Sequence, residues 1–171
     1  ELKGVLGRVD IITGTLGKAL GGAMGGYTTG KKEIIEILRQ RSRPYLFSNS
    51  LAPTIVGASL KVFEMISKDT TLRDKLEENT NYFRKELQSL GFDTGLSETP
   101  IIPIMCGDSL VAKQLSSELG KEDVMAGAIV FPMVSRDKAR VRTQMSASLN
   151  RDHLDHVLSL LEKIGPKINL I

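Results

Sequence analysis

The stretch that decides the fold is residues 13–22, which read TGTLGKALGG and follow the apolar run VDII at residues 9–12. A short apolar run that ends in a glycine-rich segment predicts a buried strand followed by a turn. Lys18 lies in that turn, with small residues on both sides and the hydroxyl of Thr15 three positions before it. An amine in this setting can be held near a cofactor phosphate and can form a Schiff base with an aldehyde. Lys18 is therefore the first candidate functional residue.

Composition excludes several classes of protein. The 171 residues suffice for one domain or slightly more, and 41% of them are apolar. A net charge of +3, with basic and acidic residues interleaved, does not favour a nucleic-acid partner. The single cysteine, Cys106, excludes an internal disulfide and a cysteine-based metal site, and its apolar surroundings predict a buried, inert thiol. One cysteine and no disulfide fit the cytoplasm, or the mitochondrial matrix in a eukaryote, as the predicted compartment. No apolar run approaches the roughly 20 residues of a membrane helix.

Apolar spacing divides the chain into three parts, with boundaries at residues 1–68, 69–99 and 100–171. The first part predicts strands at 9–13 and 24–29, a helix from Lys31 to about Arg43 that Pro44 stops, an irregular segment at 45–50, and a helix from Pro53 to about Ser67.

The remaining two parts are a connection and a smaller α/β layer. The connection is a long helix that Asp69 or Thr70 caps and Gly91 ends. The last part predicts strands at 101–105, 124–131 and 139–144 with helices at 109–119 and 151–164.

Three familiar motifs fail on their spacing. A P-loop requires a Ser or Thr after the lysine, but Ala19 follows Lys18. A dinucleotide fingerprint requires glycines at i, i+2 and i+5, and no such set occurs in this glycine-rich segment. His153 and His156 have metal-compatible spacing but no evident third ligand, so we predict a solvated surface pair and no metal.

Spacing alone leaves two interpretations of Lys18 open. It is either a Schiff-base lysine or an exposed lysine in a structural turn. Three longer strings bear on the choice: TLGKALGG at 15–22, RQRSRPYLFSNSLAP at 39–53, and ARVRTQMSA at 139–147. Together they resemble the α-oxoamine synthases, which are fold-type I pyridoxal-phosphate (PLP) enzymes that condense an amino acid with an acyl-CoA. The resemblance runs from about Val9 to Gly165.

The resemblance implies a fold and an activity. The fold is α/β: residues 1–68 would be the C-terminal part of the PLP-binding large domain of an aspartate aminotransferase-like enzyme, and residues 100–171 its small C-terminal domain. The activity would be the reversible condensation of glycine with acetyl-CoA to 2-amino-3-ketobutyrate and CoA. Formation of 8-amino-7-oxononanoate or 5-aminolevulinate, and a non-catalytic partner subunit, remain alternatives.

The resemblance also implies residue roles. Lys18 would hold PLP and act as the catalytic base, Thr15 would bind its phosphate, and Arg142 would bind the glycine carboxylate. Ser48 and Asn49 would reach the cofactor of a second copy in a homodimer; the alternative is that they satisfy backbone groups in their own loop. We expect one of the alternating pair Arg140 and Arg142 to be buried and the other exposed.

Two features depart from the family pattern. Ser135 stands where the family has a second proline, within a divergent stretch at 120–137. The resemblance covers only the second half of a family member. The family's pyridine-binding aspartate and ring-stacking histidine belong to an upstream segment, so this chain alone should not be a competent enzyme.

Overall fold

The structure is a computed structural model that describes residues 3–5, 7–21 and 24–171, so Gly22 of the glycine-rich turn lies outside the described residues. The chain divides into two compact units, residues 1–69 and 70–171. The elements, in chain order, are β1 (Ile11–Thr15), β2 (Gly26–Gly30), α1 (Lys32–Arg41), α2 (Arg43–Phe47), α3 (Pro53–Lys68), α4 (Thr71–Ser89), β3 (Ile101–Gly107), α5 (Ser109–Lys121), β4 (Gly127–Ile129), β5 (Ala139–Gln144) and α6 (Arg151–Lys167).

The first unit contains an antiparallel pair of strands. β1 and β2 align so that Thr15 lies opposite Gly26. A Cβ atom on Gly26 would lie 2.8 Å from the carbonyl oxygen of Gly14, so glycine permits the close approach of the two strands. Ile11 and Ile12 on β1 are each 46% exposed. The expectation of a buried strand is wrong for the described residues of this unit, because β1 pairs only with β2 and its two isoleucines stay largely exposed to solvent.

Pro44 does not act as predicted. α1 ends at Arg41, and Pro44 is the second residue of α2, which replaces part of the irregular segment predicted at 45–50. Proline has no N–H to donate, but the first turn of a helix leaves its N–H groups unpaired in any case, so proline starts a helix as readily as it stops one. The helix predicted from Pro53 is confirmed as α3.

The second unit has an antiparallel sheet in the order β3-β5-β4, with β5 in the centre. Alternate residues of the strands point to one face, where Ile102, Ile104 and Val141 are fully buried. Helical residues fill the other side of this core, among them Phe83, Leu87, Leu115, Leu119 and Leu161. The opposite face of the sheet carries β5 residues that are half-buried or exposed.

Helix α4 is joined to the rest of the second unit by polar contacts as well as by its apolar face. The Asn79 side chain is 6% exposed and donates to the carbonyl oxygens of Ser146 and Leu149, each at 3.0 Å. The Tyr82 hydroxyl donates to Asp155 on α6. α4 thus belongs structurally to residues 70–171, while the correspondence of the two units to a large and a small domain stays a prediction.

The strand predicted at 124–131 is only three residues long. At its start the Val124 N–H donates to the carbonyl oxygen of Leu119, which closes the end of α5, and Asp123 has a positive φ of 60°. At its end the Met133 N–H donates to Val130 in a turn. Turn hydrogen bonds therefore form at both ends of this apolar run, and only its middle residues pair as a strand. None of the described helices is long and apolar enough to cross a bilayer.

Candidate functional site

The turn after β1 is fixed at its base by hydrogen bonds. The hydroxyl of Thr15 accepts from the Gly17 N–H at 3.2 Å and donates to the Gly25 carbonyl oxygen at 3.4 Å. The Leu16 N–H donates to the same carbonyl at 2.9 Å, and the Leu16 side chain is only 6% exposed. Gly25 has a φ of +95°, a conformation that a residue with a Cβ rarely adopts. The glycines of this segment therefore allow the turn to fold back onto the strand end.

Lys18 projects from this fixed turn. Its carbonyl oxygen accepts from the Gly21 N–H at 2.9 Å, with Gly21 at a φ of +69°. The side chain is exposed, and across the described residues its amine has no hydrogen-bond or ion-pair partner. Asp10, by contrast, pairs with Lys31 at 3.1 Å, so its carboxylate has a partner. Lys18 thus combines a fixed backbone with an uncommitted amine, which is what covalent attachment to an aldehyde requires.

Ser48 and Asn49 follow the end of α2. The Ser48 N–H donates to the carbonyl oxygen of Pro44 at 3.1 Å. Both side chains are exposed, and neither has a hydrogen-bond partner among the described residues. The alternative in which they satisfy backbone groups of their own loop is therefore not seen, and their polar groups are available to a ligand or to a second copy. No hydrogen bond links them to Thr15 or Lys18 in the part of the chain described.

Arg142 lies in the second unit, near the middle of β5. Its neighbours across the sheet are Pro103 on β3 and Gly127 on β4. Arg142 is exposed and Arg140 is half-buried, on the same face of the strand. The expectation that one of them points into the core is wrong, because side chains alternate along a strand and residues two apart share a face. The core side of β5 carries Ala139, Val141 and Thr143 instead.

A cavity of about 280 Å³ adjoins the two arginines. Its lining consists of Arg140 and Arg142 with residues of β3, β4 and the preceding loop, namely Ser97, Thr99, Ile101, Pro103 and Ile129. Reasoning from the sequence did not assign Arg140 to a site. The signal that would have done so is the two-residue period of β5, applied to the arginines as it was to the apolar residues.

Two further predictions concern groups outside this cavity. Cys106 is half-buried, and burial raises the pKa of its thiol while a hydrogen bond from the Val141 N–H opposes that rise. A raised pKa leaves little thiolate at neutral pH, in agreement with an inert thiol. His153 forms a capping box with Asn150 at the start of α6, so its imidazole has a structural partner. The described residues contain no metal-compatible cluster of three or more His, Cys, Asp or Glu side chains.

The family follows from a comparison with known proteins. The pattern of the family described as aminotransferase class I and II matches residues 3–161. The chain belongs to this family. It is 50% identical over 167 residues to 2-amino-3-ketobutyrate coenzyme A ligase of Escherichia coli K12, and 47% identical over 165 residues to 8-amino-7-oxononanoate synthase of Thermoanaerobacter pseudethanolicus. These alignments cover 98% and 96% of the chain, but 42% of each relative.

Solved structures give the same fold. Serine palmitoyltransferase from S. paucimobilis, solved with bound PLP and myriocin, superimposes with a TM-score of 0.91 at 23% identity, covering 100% of this chain and 43% of that one. The resemblance to the α-oxoamine synthases is confirmed, as is the α/β fold of an aspartate aminotransferase-like PLP enzyme. The chain spans about two fifths of the length of these relatives.

Proposed function

We propose that this chain is part of a PLP-dependent acyltransferase that condenses glycine with acetyl-CoA. In this reaction a Cα–H bond of glycine is replaced by a bond to the acetyl carbonyl carbon. The thioester C–S bond breaks, and the sulfur leaves as the thiol of CoA, which gives 2-amino-3-ketobutyrate. The observation that carries the proposal is the uncommitted Lys18 amine on its fixed, glycine-rich turn. The 50% identity to the E. coli ligase supports the choice of substrates.

The residues of the turn fit a phosphorylated aldehyde cofactor. They offer a primary amine on Lys18, a backbone that glycines keep free of bulky side chains, and a hydroxyl on Thr15 whose long 3.4 Å bond to the Gly25 carbonyl oxygen a phosphate oxygen can replace. Amines form covalent links with aldehydes, and hydroxyl and backbone N–H groups bind phosphate. Lys18 and Thr15 would hold PLP, which when bound supplies an electron sink that stabilises negative charge at the substrate Cα.

The remaining steps belong to side chains of this chain. Lys18 Nζ, once the amino group of glycine has displaced it, takes the proton from glycine Cα and so acts as the general base. Arg142 binds the glycine carboxylate, because a guanidinium presents two parallel N–H groups to the two carboxylate oxygens. Ser48 and Asn49 contribute their polar groups to the cofactor site of a second copy, which makes a homodimer the functional assembly.

A second activity has specific support. The 47% identity to 8-amino-7-oxononanoate synthase approaches the identity to the ligase. The two reactions differ in both substrates, because the nine carbons of 8-amino-7-oxononanoate are seven from a pimeloyl thioester and two that remain of alanine after loss of CO2. The alternative is therefore the condensation of alanine with a longer acyl-CoA, with loss of CO2.

Labelling of Lys18 tests the proposal. The full-length protein that contains this chain is incubated with PLP, reduced with borohydride, digested, and examined by mass spectrometry. We expect a phosphopyridoxyl group on Lys18, loss of the label in Lys18→Ala, and retention in Lys32→Ala, a control lysine that is exposed on α1 and pairs with Glu36. Equal labelling of both variants, or no label on Lys18 in the parent protein, contradicts the proposal.

Substrate choice needs a separate assay. Release of the CoA thiol is followed with glycine and acetyl-CoA and, in parallel, with alanine and pimeloyl-CoA. We expect faster turnover with acetyl-CoA, and no turnover with either thioester in Lys18→Ala. Preference for pimeloyl-CoA would establish the alternative activity and would leave the role of Lys18 intact.

A further inference from the structure

The outer face of the β3-β5-β4 sheet carries two arginines without a counter-charge. Arg140 and Arg142 occupy the central strand and share this face. Across the sheet, Arg140 lies opposite Met105 and Ile129, so neither cross-strand neighbour is acidic. Arg142 has only Pro103 and Gly127 opposite it, as described above. In the part of the chain that the structure describes, neither guanidinium takes part in an ion pair.

The hydroxyl groups beside the arginines are already committed. The Ser97 hydroxyl donates to the carbonyl oxygen of Ile101 and accepts from the Thr99 N–H at 3.4 Å. The Thr99 hydroxyl accepts from the Ile101 N–H at 3.3 Å. From α4, the Arg84 side chain donates to the Thr99 carbonyl oxygen at 2.7 Å. This loop is therefore a fixed wall of the cavity, and the guanidinium groups are its strong donors.

Geometry allows the two arginines to act on one ligand. Residues two apart on a strand are separated by roughly 7 Å along the chain direction, which is within reach of two long side chains that bend toward each other. A carboxylate offers two oxygens with about four lone-pair sites, so it can accept from two guanidinium groups at once. Two neighbouring cations without counter-charge favour such an anion, because its attraction to both offsets their mutual repulsion.

We infer that Arg140 is a second carboxylate-binding residue, which completes with Arg142 a two-arginine site for the carboxylate of the amino-acid substrate. The inference rests on the proposed function for the identity of that substrate. It assigns to Arg140 a role that the resemblance to the family does not give it. Because both guanidinium groups would bind the ligand, we expect a tighter and more salt-sensitive interaction with small carboxylates than Arg142 alone would provide.

Arginine side-chain NMR tests this inference without cofactor or turnover. The full-length protein that contains this chain is labelled with 15N-arginine, the Nε–Hε signals are assigned by single substitutions, and sodium acetate is titrated against sodium chloride at constant ionic strength. We expect the Arg140 and Arg142 signals to move with one shared dissociation constant. In Arg140→Gln, we expect acetate to bind at Arg142 roughly tenfold more weakly, as for loss of one charge-assisted hydrogen bond.

Controls separate a binding role from a structural one. Arg136 stacks on Phe131 at 4.7 Å and does not line the cavity, so Arg136→Gln should leave acetate binding unchanged. Arg140→Lys keeps the charge but loses the fork, and an intermediate affinity is expected. The backbone amide signal of Val141 reports whether each variant retains the sheet.

Three results overturn the inference: no acetate response at either arginine, a response at Arg142 alone, or an unchanged affinity in Arg140→Gln with the Val141 signal in place. Each is distinguishable from failure of the proposed function, which depends on the label at Lys18. A labelled Lys18 without an acetate response would leave the function standing and remove only the role of Arg140.

Discussion

Removal of the Asn79 side chain tests how α4 is held in the second unit. Asn79 is buried on α4 and donates two hydrogen bonds of 3.0 Å to the segment that follows β5, at the carbonyl oxygens of Ser146 and Leu149. Asn79→Ala deletes both bonds and leaves the helix backbone unchanged. Asn81 lies on the same helix and is exposed, so Asn81→Ala is the matched control.

The expected magnitude follows from the two lost bonds. A typical intramolecular hydrogen bond contributes about 1 kcal/mol net, so the loss of two costs about 2 kcal/mol. Alanine is a better helix former than asparagine by about 0.5 kcal/mol, but this gain is common to Asn79→Ala and Asn81→Ala and cancels in their difference. We therefore expect the free energy of unfolding to differ by about 2 kcal/mol between the two variants.

Urea titration followed by the NMR amide peaks of β5 measures the second unit alone. With a slope of about 2 kcal/mol/M, typical of a small domain, the predicted difference moves the midpoint by about 1 M. Coincident midpoints for the two variants would refute the reasoning, because they would show that the hydrogen bonds of Asn79 are replaced by water at no cost. A change of slope without a change of midpoint would point to the unfolded state instead.

Three other measurements follow from the packing and the exposure of particular groups. A methyl group on Gly165 would lie 2.7 Å from the Ile171 side chain, whereas a methyl group on Gly120, in helix α5, would meet nothing within 4 Å. Thermal unfolding should therefore show Gly165→Ala destabilised by about 1–3 kcal/mol and Gly120→Ala stabilised by up to about 1 kcal/mol. The pKa of Cys106 in the folded state is raised above its ordinary value of 9.0, so the unfolded state loses the thiol proton first and stability is lost as pH rises through the unfolded pKa. The urea midpoint should therefore fall between pH 8 and pH 10, and it should fall less in Cys106→Ala than in the parent. Hydrogen exchange should be faster at amides of residues 1–69 than in β5, since that unit buries only Leu16 and Ser59 among its described residues, and equal protection would contradict this expectation.

The sequence predicts well those helices and strands in which every local sequence signal indicates the same element. β5 occurs at the predicted residues 139–144, where apolar and polar residues alternate without interruption. α3 begins at the predicted Pro53 and ends one residue beyond the predicted end. In both segments the periodicity, the end signals and the tertiary environment agree.

The predictions are wrong where two local sequence signals compete, or where the burial of a strand depends on residues far away in the sequence. Pro44 is compatible with the end of one helix and the start of another, and only the hydrogen bonds of α2 decide between them. The run at 124–131 is apolar enough for a strand, but the closure of α5 consumes the Val124 N–H. For β1, the apolar run predicts a strand, but it does not show how many other strands pair with it, so the exposure of β1 could not be predicted.

The candidate site divides along the same line. Lys18 and Thr15 could be found from sequence because both lie in one continuous segment whose turn is closed by its own hydrogen bonds. The pairing of Arg140 with Arg142 depends on β5 lying between two strands that place uncharged residues opposite both arginines, and Ser97 and Thr99 reach the cavity only through the fold of their loop. A covalent anchor needs one well-placed amine, whereas recognition of a carboxylate needs several groups held in a common orientation. A catalytic group in a single turn can therefore be predicted from the sequence. A substrate-binding site formed by residues of several strands can be predicted only once the register of the sheet is known.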